Sequence, residues 1–229
     1  MKITSRFAAS EPIPSVSVNR TLVIPVNSAR SLGVVLDRHL TLSSHVNNVC
    51  KSVSLAVRNI GRIRRYLSQN DTERLVHAFV TSKLDSCNSL IYGLPACQEA
   101  KLQRIQNSAA RLVARVKKFD HISPVLNNLH WLTVRKRMTF KILLITYKAL
   151  HGLAPTYLSE LLTVYKPSRC LRSEISSLLV VPKCRTKLYG ERAFAVAAPT
   201  LWNKLPSEIK NSASVVAFKT SLKTFLFKS

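Results

Sequence analysis

Acidic residues are scarce in this chain: 11 Asp+Glu stand against 35 Lys+Arg, a formal net charge of +24. No two acids are adjacent, and only Asp71 and Glu73 lie within two residues of each other, at a position that reads as a helix start, where acids are expected anyway. Metal-dependent polymerases and nucleases need two or three carboxylates converging on Mg2+. The sequence offers no such set. Its five glycines stand singly, so there is no phosphate-binding loop. The five cysteines, Cys50, Cys87, Cys97, Cys170 and Cys184, are odd in number and form no Cys-x-x-Cys pair. That argues against a disulfide frame and against a zinc knuckle; most are expected in the core as small hydrophobes. No apolar run approaches the roughly 20 residues of a membrane span. The longest, SSLLVV and KILLITY, are core-sized, and the opening MKITSRFAAS lacks the apolar stretch of a signal peptide. The expected location is intracellular, nuclear or cytoplasmic, with no membrane partner. Cys50 and Cys87 sit on apolar stripes, and His121 and His130 flank Trp131 in what reads as ring packing. No catalytic residue, metal ligand or cofactor is assigned.

What remains is a chain that is 46% hydrophobic and strongly basic. It can bury a sizeable core, which excludes a disordered tail. A folded domain with this charge repels itself unless a polyanion is near, and nucleic acid is the partner that fits best. A membrane surface, or a basic protein with no polyanion partner, are the competing readings.

Only residues 11–36 read as β. SVSVN alternates, TLVIPV is β-branched, Asn27–Ser28 marks a turn, and SLGVVL follows. Pro12, Pro14 and Pro25 suggest short or edge strands. Helical periodicity takes over from about Ser43. A first helix is expected from about Ser44 to Leu67, capped by Ser43 or Ser44, with Val46, Val49, Val53, Val57, Ile60, Ile63 and Leu67 inward. A second starts near Asn70 with Leu75, Val76, Phe79, Val80, Leu84 and Cys87 inward, and Gly93–Leu94–Pro95 stops it. A third runs from about Ala96 to Lys118, with Leu102, Ile105, Ala109, Leu112, Val113 and Val116 inward. Phe119–Val134 is mixed and makes the best boundary. A helix over Val134–His151 ends at Gly152, Pro155 opens a short helix, residues 166–187 read as a loop with one extended piece, residues 190–202 are helical as far as Pro199, and Ser214 caps a terminal helix. The expected fold class is mainly α: a small N-terminal β-hairpin over residues 1–38, a three-helix region over 39–118 and a helical C-terminal region over 119–229.

The basic residues are patterned. Lys51, Arg58, Arg62 and Arg65 step by 7, 4 and 3, and so do Arg104, Arg111, Arg115 and Lys118. At about 100° per residue each set falls in a narrow arc, the first nearly opposite its helix's apolar stripe. An ordinary solvated helix face carries mixed signs, with Glu or Asp four residues before Lys or Arg. Neither stripe contains an acid, so phosphates are the better explanation. A third cluster, Arg135, Lys136 and Arg137, opens the Val134 helix, whose N-terminus adds backbone donors.

The segments SLGVVLDRHLTLSSHV, NVCKSV, RNIGRIRRYLS, LVHAFVTSKLDSCNSLIYGLP, KLQRIQNSAARLV, the run from DHISPV to SELL, and GERAFAVAAPTLWNKLPSEIK occur in that order. Together they resemble the C-terminal third of reverse transcriptases of jockey-like, LINE-type (non-LTR) retrotransposons, over about Ser15 to Phe227. The resemblance implies a hairpin that supports the primer terminus, carried here by Leu32, Gly33, Val34, Val35, Leu36 and Asp37. It implies a thumb that grips an RNA or DNA template–primer duplex, and a C-terminal extension. The family's polymerase needs an Asp-Asp pair on its palm, and this chain has none. The resemblance therefore implies a non-catalytic fragment, an incomplete element copy whose polymerase palm would have come before it. The alternative is an interaction module that docks on such a palm, or on another partner, through the Val134–Tyr165 region.

Overall fold

The computed structural model describes residues 1, 3–4, 15–166, 177–186 and 189–228. Pro12, Pro14 and Cys170 lie outside them. The N-terminal part forms two antiparallel ribbons, β1 (Val16–Val18) with β2 (Thr21–Val23), and β3 (Ser28–Ser31) with β4 (Val34–Asp37). The turn expected at Asn27–Ser28 is instead at Leu32–Gly33, inside the run expected as strand. Leu32 and Gly33 have φ of 47° and 84°, the pair of left-handed residues that a two-residue hairpin loop requires. Asn27 belongs to the ladder, accepting the Arg38 N–H at 2.9 Å. β2 stops before Pro25, as a residue without an N–H dictates.

The rest is helical, as its periodicity predicts. α1 (Ser43–Ile63) tightens into a 3-10 turn at Arg64–Tyr66. α2 (Gln69–Val76) runs through a π turn, His77–Thr81, into α3 (Ser82–Asp85). α4 spans Ala96–Ala114 and α5 Ile122–Asn128. α6 (Val134–Leu150) ends as expected: Gly152 is left-handed at φ 67°, and the Leu153 N–H reaches back to the Lys148 carbonyl at 2.8 Å. α7 (Thr156–Ser159) follows Pro155. α8 (Phe194–Asn203) does not stop at Pro199 but carries it, buried, in its interior. α9 is Ser207–Lys210, and α10 (Val215–Lys228) is capped by Ser214, whose Oγ accepts the Ala217 N–H at 3.1 Å.

Two expectations about facing fail for identifiable reasons. Phe79 is 52% exposed rather than inward. The π turn holds more residues per turn than an α-helix, so Val76, Val80 and Leu84 stay in line at steps of four, and Phe79 falls outside the row. Ile63 is 46% exposed, and the inward place one turn after Ile60 goes to Arg64. Among the cysteines, Cys50 and Cys87 pack partly against the core, but Cys97 and Cys184 are exposed.

The buried residues form two clusters. The first joins Val34 of β4 with α1, the α2–α3 stretch, α4, α5, Trp131 and the start of α6 through Met138. The second joins Leu143 and Tyr147 of α6 with Leu179, α8, α9 and α10. The two clusters meet within α6, which serves both. α6 spends its apolar face inside the chain, whereas Leu153, Tyr157, Leu161, Val164 and Tyr165 beyond it are exposed.

α1 and α4 run parallel. Gln98 Nε2 donates to Ser43 Oγ at 3.0 Å and Lys101 Nζ to Asn47 Oδ1 at 3.1 Å near their starts. Near their ends Gly61 faces Leu112: a Cβ at 61 would stand 3.8 Å from Leu112 Cδ1. The α2–α3 stretch packs against both helices.

Candidate nucleic-acid interface

The parallel packing of α1 and α4 brings their C-terminal ends together, and the basic stripe of α4 faces a groove at that junction. Arg104, Arg111, Arg115 and Lys118 line it, together with Val57 and Arg64 from the α1 side and neutral residues of α4. The groove measures about 680 Å3 and has no acid in its lining. Lys51 and Arg58 line a second, smaller depression on the outer face of α1, about 510 Å3, between serines and Leu55. Lys51, Arg58, Arg62 and Arg65 are all exposed.

The groove's arginines do not all have free hands. Arg111 Nη2 donates to the Asp120 carbonyl at 3.2 Å, and its buried Nε has no partner. Arg115 is itself the C-cap residue of α4, left-handed at φ 55°, and its Nη2 reaches the Arg64 and Leu67 carbonyls at 3.4 and 3.5 Å. Both therefore help to fasten the chain as well as line the groove.

Arg64 was not singled out by the stripe pattern, and it holds the junction together. It is 8% exposed. Its Nε donates to the Leu112 carbonyl at 2.8 Å, Nη2 to Val113 at 2.9 Å and Nη1 to Leu67 at 2.8 Å. The last carbonyls of a helix lack intrahelical partners and carry partial negative charge, which a guanidinium fork satisfies. Burial, then the nearby Arg115, lowers its pKa from the ordinary value. The sequence signal for it is one of phase: Arg64 falls on the apolar face, four residues after Ile60.

Beside each stripe's last cation stands an exposed aromatic ring. Tyr66 is 72% exposed, with the Arg65 guanidinium 4.6 Å from its ring centroid; Phe119 is 92% exposed, with Lys118 Nζ at 5.8 Å. The paired cation–aromatic dipeptides at the ends of the two stripes are the sequence signal for them.

The third cluster divides. Arg135 is exposed and lines a cleft of about 520 Å3 that also contains Glu99 and Glu191. Lys136 is half-buried. Arg137 is committed elsewhere: its Nε donates to Asp85 Oδ1 at 2.8 Å and its Nη2 to Asp85 Oδ2. Its fork is filled by a carboxylate of this chain.

The hairpin residues have mainly internal tasks. Val34 is buried in the first core cluster and Leu36 packs against it, while Leu32 is 96% exposed at the tip beside Gly33. Neither Ser43 nor Ser44 caps α1, which has no side-chain cap; Asp37 instead ties down the loop that leads into it. It accepts the backbone N–H groups of His39 at 3.1 Å, Thr41 at 2.9 Å and Leu42 at 2.7 Å, and the Thr41 hydroxyl at 3.1 Å. Burial works to raise its pKa, but the hydrogen bonds from Thr41, Leu42 and His39 outweigh it, and the net shift is downward. Trp131 packs on His77, ring centroids 5.5 Å apart, rather than on His121 or His130, and its indole N–H donates to Glu73 at 3.3 Å.

Among the described residues no group of three or more His, Cys, Asp or Glu side chains could hold a metal ion, and no helix is long and apolar enough to cross a membrane. The chain matches no family model, no curated protein and no solved structure.

Proposed function

We propose that the chain is a non-catalytic nucleic-acid-binding fragment of a LINE-type reverse transcriptase, gripping the backbone of a template–primer duplex through the basic faces of α1 and α4. The observation that carries the reading is the groove at the α1–α4 junction, where the four stripe cations of α4 converge without an acid. Phosphate contacts position a protein on a duplex and carry no base information, so binding is expected to be indifferent to sequence. The ordered motifs quoted above support the reverse-transcriptase assignment. The absent Asp-Asp pair supports the lack of polymerase activity, since the metal centre of such enzymes needs converging carboxylates.

A salt titration tests the reading. Contact with about six phosphates gives a log–log slope of affinity against salt near −5. Replacing Arg58, Arg62 and Arg65 together with Ala should reduce that slope by about three units and weaken all sequences alike. A shallow wild-type slope rejects the reading. A steep slope unchanged in the triple variant removes the α1 stripe from the interface.

The second reading, a protein-interaction module docking through the Val134–Tyr165 region, finds its support in the exposed Leu153, Tyr157, Leu161, Val164 and Tyr165 and at the N-terminal ribbon. Leu22, Ile24 and Val26 are 61%, 72% and 51% exposed there, a row suited to an apolar partner such as a polymerase palm.

A further inference from the structure

Duplex backbone contact uses the cations of the α1–α4 junction and leaves its two exposed rings without a task. Single apolar side chains on a surface are common, so exposure alone decides nothing. Three features set Tyr66 and Phe119 apart. First, both belong to the same end of the helix pair: Arg115, in the groove, bonds the Leu67 carbonyl next to Tyr66, and Lys118, also in the groove, precedes Phe119. Tyr66 and Phe119 are chain neighbours of groove-side residues rather than part of its lining. Second, each ring is presented by fixed backbone. The Tyr66 turn is closed by the Leu67 N–H on the Arg64 carbonyl at 3.3 Å, with Arg64 Nη1 on the Leu67 carbonyl. Phe119 sits in a turn closed twice, by the Asp120 N–H on the Lys117 carbonyl at 3.3 Å and the Lys117 N–H on Asp120 Oδ2 at 2.8 Å. Asp120, next to Phe119, is therefore engaged in holding the turn. Third, each ring stands next to a stripe cation, and both keep most of their surface open.

A positively charged groove that follows the backbone, flanked by rings on which bases can stack, is the arrangement that holds single-stranded nucleic acid. A duplex keeps its bases stacked on each other and offers such rings nothing. We propose that the C-terminal ends of α1 and α4 form a single-strand site, in which unpaired bases stack on Tyr66 and Phe119 while their phosphates lie along the cations of the groove. The site rests on the backbone-binding reading above and names its ligand more narrowly: a strand, or the single-stranded extension of a duplex. The turns that carry the rings are already closed, so little loop entropy is lost when bases stack on them.

The test measures anisotropy of a labelled oligothymidylate strand and of a blunt duplex, each of about 20 nucleotides per strand, with the wild type, Tyr66→Ala/Phe119→Ala and Tyr66→Trp/Phe119→Trp. Stacking contributes enough per base that the double alanine variant should lose strand affinity by about tenfold or more. Its salt slope should stay unchanged, and so should its duplex affinity. The double tryptophan variant should keep strand affinity, and its emission should be quenched by the strand. Unchanged strand affinity in the alanine variant, or equal loss on strand and duplex, overturns the stacking site while a steep wild-type salt slope leaves the backbone reading standing. A flat wild-type slope on both ligands overturns both.

Discussion

The carboxylate of Asp37 accepts the backbone N–H of Leu42 at 2.7 Å, so the end of the β3–β4 hairpin is wired directly to the start of α1. Leu42 is left-handed at φ 55° and supplies no side-chain cap. No side chain caps α1 as an N-cap serine would; the carboxylate five residues upstream of Leu42 instead fixes the connecting loop, also holding His39 and Thr41. Hairpin and helix pair thereby form one piece.

Asp37→Asn keeps one acceptor oxygen but loses the charge and the second acceptor. Unfolding by urea at neutral pH should show a loss of about 1–2 kcal/mol. The pH dependence follows from the lowered pKa. A carboxylate held below its ordinary value of 3.8 contributes stability that is fully present above that value and lost as pH falls through the lower, folded one. The wild type should therefore lose stability below about pH 4, and the variant should lose less over the same range. Identical acid profiles would show that the charge on Asp37 contributes nothing.

His45 predicts a second pH effect at a higher range. It is 7% exposed, its Nδ1 accepts the Val35 N–H at 3.4 Å, and burial, then the charge of Arg30, lowers its pKa from 6.5. A lowered histidine binds protons less readily folded than unfolded, so stability should fall as pH drops below about 6.5. His45→Gln should flatten that part of the profile. Urea midpoints between about pH 7.5 and 5.5 read it.

Much of the fold was legible because its helices are amphipathic, and amphipathic spacing survives in sequence. The inward row of α4 is read directly, with caps such as Ser214 and stops such as Gly152. What failed was legible only in three dimensions. Phe79 has the right spacing for an α-helix, and the π turn changes the spacing that counts. Pro199 reads as a stop, yet α8 carries it in its buried interior. The stripe cations were found because a missing acid is a sequence fact. Which of them are free is not: Arg137 is taken by Asp85, 52 residues away in the chain, and nothing local announces that pairing.

Gly61 should accept a methyl group. Glycine inside a helix costs up to about 1 kcal/mol relative to alanine. A Cβ there would meet Leu112 Cδ1 at 3.8 Å, an ordinary contact. Gly61→Ala should raise stability by about 0.5–1 kcal/mol. Its neighbour gives the opposite sign: Ile60 is 5% exposed in the first core cluster, and Ile60→Ala should cost about 2–5 kcal/mol. Thermal melting of the two variants checks both, and a loss in Gly61→Ala would mean that α1 and α4 approach more tightly than their geometry states.

Arg64 and Arg65 are adjacent and have opposite tasks. Arg64 is buried with three carbonyls on its guanidinium, two of them at the end of α4. Arg65 is exposed and lies over Tyr66. Arg64→Met keeps the stem and removes the fork, leaving the Leu112, Val113 and Leu67 carbonyls short of donors in a place poorly reached by water. The expected cost is about 2–3 kcal/mol. Because Arg64 spends its donors inside the chain, the variant that remains folded should keep nearly the wild-type salt slope of nucleic-acid binding. Arg65→Ala should do the reverse: stability within about 0.5 kcal/mol of wild type, and a slope reduced by about one unit. Measuring melting and salt titration on both variants separates a clamp from a contact. If Arg64→Met melts like the wild type, the two helix ends are held by packing alone. If both variants reduce the slope equally, Arg64 reaches the phosphates too, and its carbonyl bonds give way when nucleic acid binds.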